Sequence, residues 1–218
     1  MFLNREEAGK LLAERLLKYS DHKDAIIIAI PRGGVPVGYV IAKKLYLPLD
    51  IVLSKKIGHP YNKEYAIGAV TLKNKILSDA AYEVSDEYIE EETEHIRDIL
   101  KQRHKLYYGD KRPLLLKDKI VIVVDDGVAT GNTLLSCIQL INQQEPSQII
   151  VALPVAPRSA VKRIKELSIV DAVVCLGQPL GFQAVGQYYE DFGQTTDQEV
   201  MQLLKKANEN YLMNYSNS

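Results

Sequence analysis

The chain has 218 residues, 46% of them hydrophobic and 25% charged, with a formal net charge of −1. That length suits one α/β domain with a sizeable core, and the near-neutral balance excludes a global basic field that would recruit nucleic acid or a membrane surface. No apolar run approaches the roughly eighteen residues of a membrane span.

The first residues, M-F-L-N-R-E-E, are too acidic for a secretory leader. Two cysteines, Cys137 and Cys175, lie in apolar surroundings and read as reduced core residues, so a cytoplasmic protein is expected. Asn4 followed by Glu7 has the form of a capping box, and Leu11, Leu12, Arg15, Leu16 and Tyr19 extend it as an amphipathic helix to Ser20. Residues 25–30 form a buried strand, Pro31-Arg32-Gly33-Gly34 a loop, 35–45 a helix and 49–53 a short second strand. Residues 65–70 and 75–77 pair as a hairpin around Lys73-Asn74.

A long charged helix covers 85–108, with Ile89, Ile96, Ile99 and Leu100 as a narrow apolar stripe. Its first half is acidic and its second half only modestly basic, which argues against a polyanion surface and leaves a partner or homodimer contact open. Strands follow at 120–124, 149–153 and 172–176, separated by helices over 133–142 and 157–167. A tail helix at 196–207 precedes an end that frays from Asn208. Strands alternating with helices define an α/β protein with a parallel sheet, whose ligands belong at the carboxyl ends of the strands.

The chemistry concentrates between Ile120 and Leu134, which reads I-V-I-V-V-D-D-G-V-A-T-G-N-T-L. Five β-branched residues make a fully buried strand that ends in two adjacent carboxylates, Asp125 and Asp126. Gly127, Val128, Ala129, Thr130, Gly131, Asn132 and Thr133 then form a small-residue loop feeding a helix N-terminus. Such a loop leaves backbone N–H groups free for a phosphate. The carboxylates beside it offer acceptors to a hydroxyl-rich group, so together they describe a sugar-phosphate site. The plainer reading is a strand-ending turn with Thr130 or Asn132 capping the helix. A Walker A loop is excluded, because Asn132 stands where its lysine is required.

This pattern resembles the PRPP-binding motif of the type I phosphoribosyltransferases. The resemblance implies a doubly wound, mostly parallel sheet with a small hood and flap. It makes Asp125 and Asp126 ligands of the ribose hydroxyls. Residues Gly127 and Ala129 to Thr133 become the cradle of the 5-phosphate, with Thr130 and Thr133 as hydroxyl donors. Arg32, Gly33 and Gly34 follow the first strand, where the family binds pyrophosphate, often through an unusual cis peptide. The Gly-Gly step permits close backbone approach to an anion, and Arg32 brings a forked charge.

Lys55 or Lys56, at the end of the second strand, can meet the same anion, or both are solvated loop residues. His59 reads as a turn residue. Residues 58–80 correspond to the family's flap and hairpin, and Glu64 is a candidate proton acceptor. Ala129 departs from the 6-oxopurine branch, which has an acid there, so a base from the phosphate loop is not expected. Residues 177–195 are the candidate acceptor hood. There Phe182, Tyr188, Tyr189 and Phe192 either stack on a planar base or form the core of a small subdomain.

The run P-R-G-G-V-P-V-G, the strand Y-A-I-G-A-V, the Asp-Asp loop, the long charged helix and F-Q-A-V-G-Q-Y-Y-E-D-F together resemble a group of predicted bacterial and archaeal phosphoribosyltransferases with unassigned acceptor. The implied function is Mg2+-dependent phosphoribosyl transfer from PRPP to a nitrogenous acceptor, a purine or pyrimidine base foremost, releasing pyrophosphate. Mg2+ would be held through PRPP rather than by direct protein ligands. The alternative is a non-catalytic regulator that senses PRPP or a nucleotide on the same fold.

Overall fold

The structure, a computed structural model, describes residues 1–109 and 112–215, the side chains of Glu64 and of 213–215 excepted. In chain order the elements are α1 (Arg5–Arg15), β1 (Ala25–Ala29), α2 (Gly34–Leu45), β2 (Leu49–Ile51), β3 (Lys55–His59), β4 (Asn62–Val70), β5 (Lys75–Leu77), α3 (Asp86–Tyr108), β6 (Ile120–Val124), α4 (Asn132–Asn142), β7 (Gln148–Val155), α5 (Arg158–Lys165), β8 (Ala172–Gly177) and α6 (Asp197–Tyr215).

Five strands make a sheet in the order β2-β1-β6-β7-β8, all pairs parallel. β1 and β6 at its centre are apolar at every position, because both faces are covered. On β1, Ala25, Ile27 and Ala29 join one core with Leu12 of α1, Leu16 just after it, Ile41 and Leu45 of α2, and Leu204 of α6. Ile26 and Ile28 point the other way, into a core with Leu134, Ile138, Ile141 and Ile164 of α4 and α5. The sheet is therefore doubly wound. Connections leave β1 toward β2 on one side while β6, β7 and β8 build out on the other, so the strand order reverses between β1 and β6. Open parallel sheets bind ligands in the crevice at such a reversal.

A second, antiparallel sheet, β3-β4-β5, packs Ile57, Ile67 and Val70 against Ile89, Ile96 and Leu100 of α3. Ion pairs between Lys63 and Glu92 (3.2 Å) and between Lys75 and Glu90 (2.5 Å) fringe this contact. Both are exposed enough to add little to stability.

Four local expectations change. The segment expected as a loop after β2 is strand β3, because inward-facing Ile57 draws the flanking lysines into a ladder with β4. The first helix stops at Arg15, and a 3-10 turn over Leu17–Tyr19 swings Tyr19 into the core. Ile99 is only half-buried, and Thr93 completes the seam of α3 instead. The tail helix runs on through Asn208 to Tyr215, with Leu204 and Ala207 holding it to the core; residues 216–218 lie outside the described set.

Candidate active site

Parallel pairing of Ala29 with Val124 puts the loops that follow β1 and β6 side by side at the reversal. The Ile30 amide donates to the Val124 carbonyl at 2.8 Å, carrying the contact one residue further. Beyond it, the Pro31–Arg32 peptide is cis. Gly33 lies so close to the carboxylates that an added Cβ would stand 2.0 Å from Asp126 Oδ2. At Gly34 it would stand 2.7 Å from the Val124 carbonyl oxygen. Contact between the two loops thus demands glycine at both positions.

Past the carboxylates the backbone turns through Gly127 (φ +147°) and Gly131 (φ +78°), conformations that favour glycine. Val128 is buried and its amide donates to the Val155 carbonyl at 3.2 Å. Ala129, Thr130, Asn132 and Thr133 stay exposed around the start of α4. Gly131, the N-cap residue, makes no side-chain cap bond, and the Asn132 amide donates weakly to the Thr130 hydroxyl at 3.5 Å. The dipole of α4 favours an anion at this start. From α5, Arg163 donates to the Thr130 carbonyl (3.0 Å) and to Asn132 Oδ1 (3.2 Å), bracing the loop from behind.

The two carboxylates are unlike. Asp125 accepts from the Asp126 amide at 2.9 Å. Its carboxyl is desolvated and faces the neighbouring charge, and both push its pKa well above the usual carboxylate range. Asp126, whose side chain is 13% exposed, has a dedicated cation: Arg5 Nε donates to its Oδ2 at 2.8 Å, and Nη2 pairs with the same oxygen at 2.8 Å. The Tyr189 hydroxyl donates to the Asp126 carbonyl at 2.6 Å, and its pKa is raised, chiefly by burial.

Arg32 reaches away from the carboxylates to Asp197 at the start of α6, 3.8 Å distant. Asp197 also accepts from the Tyr107 hydroxyl, whose pKa is pushed up to about 12 by burial and then by that bond. Lys55 and Lys56 are exposed on β3, and Glu64 lies on β4 with its side chain outside the described residues. The hairpin runs beside α3, where Tyr88 donates to the Gly58 carbonyl at 2.8 Å. Tyr88 and Tyr107 are nineteen residues apart on that helix, about 28 Å at 1.5 Å per residue. The structure therefore joins Gly33 and Gly34 to Asp125 and Asp126, turns the Arg32 side chain toward Asp197, and holds the hairpin tip at the far end of α3.

The hood aromatics are packed among themselves and against the N-terminus. Phe182 stacks on Tyr188 (centroids 5.2 Å), Tyr189 on Phe192 (5.0 Å), and Phe2 tilts against Tyr189 (5.4 Å). The Phe2 amide donates to the Tyr188 carbonyl at 2.7 Å, and Glu190 donates back to Phe2 at 2.9 Å. Tyr189 is buried with Ala8 and Val155, so the small-core role of these rings is realised, while Phe182 and Tyr188 stay half-buried.

Sequence reading missed three participants: Arg5, Arg163 and the Tyr189 hydroxyl. Arg5 did leave a signal, since a cation at the first position of a helix opposes the dipole and calls for a partner elsewhere. Arg163 sits among other basic residues of α5 and left none.

Among the described residues no group of three or more His, Cys, Asp or Glu side chains could hold a metal ion. The donors at the reversal are carboxylate, hydroxyl and backbone groups, with no nitrogen or sulfur ligand. Such a set fits Mg2+, which prefers oxygen and keeps substrate oxygens and water in its shell.

A family profile described as "Phosphoribosyl transferase domain" matches residues 3–178, and the chain belongs to that family. Over 217 residues it is 33% identical to "Putative phosphoribosyl transferase Rv0571c" of Mycobacterium tuberculosis, covering 97% of this chain and 48% of that protein. A second strain of the same organism carries an equally similar protein. The chain thus spans about half the length of the curated relatives it matches. Of solved structures, TT1426 from Thermus thermophilus is 38% identical with a TM-score of 0.84, covering 94% of this chain and 98% of that one. Among the described residues no helix is long and apolar enough to cross a membrane.

Proposed function

We propose that this chain transfers the phosphoribosyl group of PRPP to a nitrogenous acceptor and releases pyrophosphate. The observation that carries the reading is the meeting, at one topological reversal, of a carboxylate pair, a helix start entered through glycine and an arginine-glycine-glycine loop. Each matches one part of the donor. The 5-phosphate would lie on Gly127 and Ala129 to Thr133, against the first turn of α4. The ribose hydroxyls would face Asp125 and Asp126, and the pyrophosphate would rest on Arg32, Gly33 and Gly34. A planar purine or pyrimidine base is the proposed acceptor, entering from the side of the Phe182–Phe192 segment.

In the reaction the bond from the sugar C1 to the pyrophosphate oxygen breaks and a bond from C1 to an acceptor nitrogen forms. Positive charge develops at C1 and negative charge on the leaving group. Arg32, released from Asp197, and the loop amides would meet the leaving anion, and fixing both ends of the sugar phosphate would hold C1 in line for attack. When bound, Mg2+ supplies further neutralisation of the pyrophosphate charge. Lys55 or Lys56 would help at the pyrophosphate, and Glu64 would serve as proton acceptor only once the hairpin tip closes from the far end of α3 onto the crevice.

The test is pyrophosphate release from PRPP and Mg2+ across a panel of purines, pyrimidines and amines. Acceptor-dependent release is expected, and Glu64→Gln should slow it; an unchanged rate in that variant removes Glu64 from the mechanism. PRPP binding without release for any acceptor would favour a PRPP-sensing regulator on the same site.

A further inference from the structure

Two links tie the N-terminal segment and the 188–193 segment to the Asp125–Asp126 loop, and a third ties the two segments to each other. Arg5 sets both Nε, a hydrogen-bond donor, and Nη2, an ion-pair contact, 2.8 Å from Asp126 Oδ2. Its third nitrogen donates to the Gly193 carbonyl at 2.7 Å, and its guanidinium carbon lies 4.0 Å above the Phe192 ring. Tyr189, stacked on Phe192, reaches the backbone of Asp126 from the same side. Arg5 is only 13% exposed, and every contact limits its freedom to move. A guanidinium held on a ring face and on a carbonyl presents its remaining fork in one orientation.

We propose that Arg5 is the positioning residue of the sugar-diol site, holding the Asp126 carboxylate in the orientation that receives the ribose. The proposal rests on the PRPP reading above and extends it to a residue outside the Asp-Asp loop. Without Arg5, Asp126 would face Asp125 across the loop with no fixed counter-charge, and its side chain would be free to rotate away. The Phe182–Phe192 cluster then acquires a second purpose, because Phe192 and Gly193 fix Arg5 as Arg5 fixes Asp126.

The experiment is a double-mutant cycle on PRPP affinity with Mg2+, using Arg5→Ala, Asp126→Asn and the pair, with Arg5→Lys alongside. Arg5→Ala should weaken PRPP about tenfold, the size of one charge-assisted hydrogen bond to a carboxylate. Arg5→Lys should fall between the two, since it restores charge without the fork. In the Asp126→Asn background the Arg5 substitution should cost little more, because its effect passes through that carboxylate. Mg2+-pyrophosphate affinity should stay unchanged in Arg5→Ala.

Unchanged PRPP affinity in Arg5→Ala, full multiplication of the two losses, or equal weakening of pyrophosphate would each overturn the proposal. If Arg5→Ala does not fold, Arg5→Lys carries the comparison, and wild-type affinity in that variant overturns it too. Failure of the wild-type protein to bind PRPP is a different result, which removes the donor reading itself.

Discussion

At the scale of single residues the site is built on an electrostatic cost. Asp125 is a desolvated carboxyl beside another carboxyl, and its folded-state pKa is raised for both reasons. The folded chain therefore holds a proton there more tightly than the unfolded chain, whose aspartates titrate near 3.9. Stability from this group is full below that value and is lost as pH rises through the higher folded value. Asp125→Asn removes the cost while its amide oxygen can still accept from the Asp126 amide. Its melting temperature should therefore exceed the wild type's by a few degrees at pH 8, and the difference should shrink toward pH 4. A difference in Tm that is constant with pH would contradict this origin. PRPP binding should be lost in the same variant, as happens where stability and function compete for one residue.

Asp50 shows how the same buried group looks when it serves structure. It is 4% exposed at the sheet edge, and burial raises its pKa as well. Here, however, the Ile51 and Leu114 amides donate to it at 2.8 and 2.6 Å, and the Tyr108 hydroxyl donates as a third partner. Three donors share its two oxygens and hold the end of α3 and the segment at Leu114 to β2, so this buried carboxyl serves the fold.

At the scale of elements, function depends on how closely two loops approach. Gly33→Ala would force a methyl to 2.0 Å from Asp126 Oδ2, so either the loop or the carboxylate must move. PRPP affinity should fall at least tenfold, with about 1–3 kcal/mol of stability lost to overpacking. Isothermal titration and thermal melts of the variant check both, and wild-type affinity would show that the loops are not in contact when PRPP binds. The strands and most helices were legible because burial on two faces, or on one stripe, writes itself into periodicity: 120–124 is apolar throughout, and α3 repeats its stripe. The hairpin strand β3 was not, since Lys55 and Lys56 look like loop residues until Ile57 is seen against α3. Within the site, Gly33, Gly34, Asp125 and Asp126 were legible because spacing along the chain fixes their chemistry. Arg5 lies 121 positions from its partner, and only the fold joins them. The aromatic segment was ambiguous for a physical reason, because stacking on a base and packing on Phe2 need the same rings.

At the scale of the whole molecule, the topology decides where chemistry is possible. The sheet reverses order between β1 and β6, and both candidate anion loops leave from that crevice. The second sheet and α3 form an arm with its own core, and α3 spans the distance from the hairpin tip to Asp197 beside Arg32. The N-terminal segment closes over the opposite side through Phe2 and Arg5. A donor bound in the crevice would thus touch loops from both halves of the sheet. The most direct measurement is calorimetric titration of the purified protein with PRPP, with and without Mg2+. Saturable binding that Mg2+ strengthens, and that Asp125→Asn combined with Asp126→Asn abolishes, is the expected result. No binding under either condition, or undiminished binding in the double variant, would contradict a phosphoribosyl donor site at the reversal.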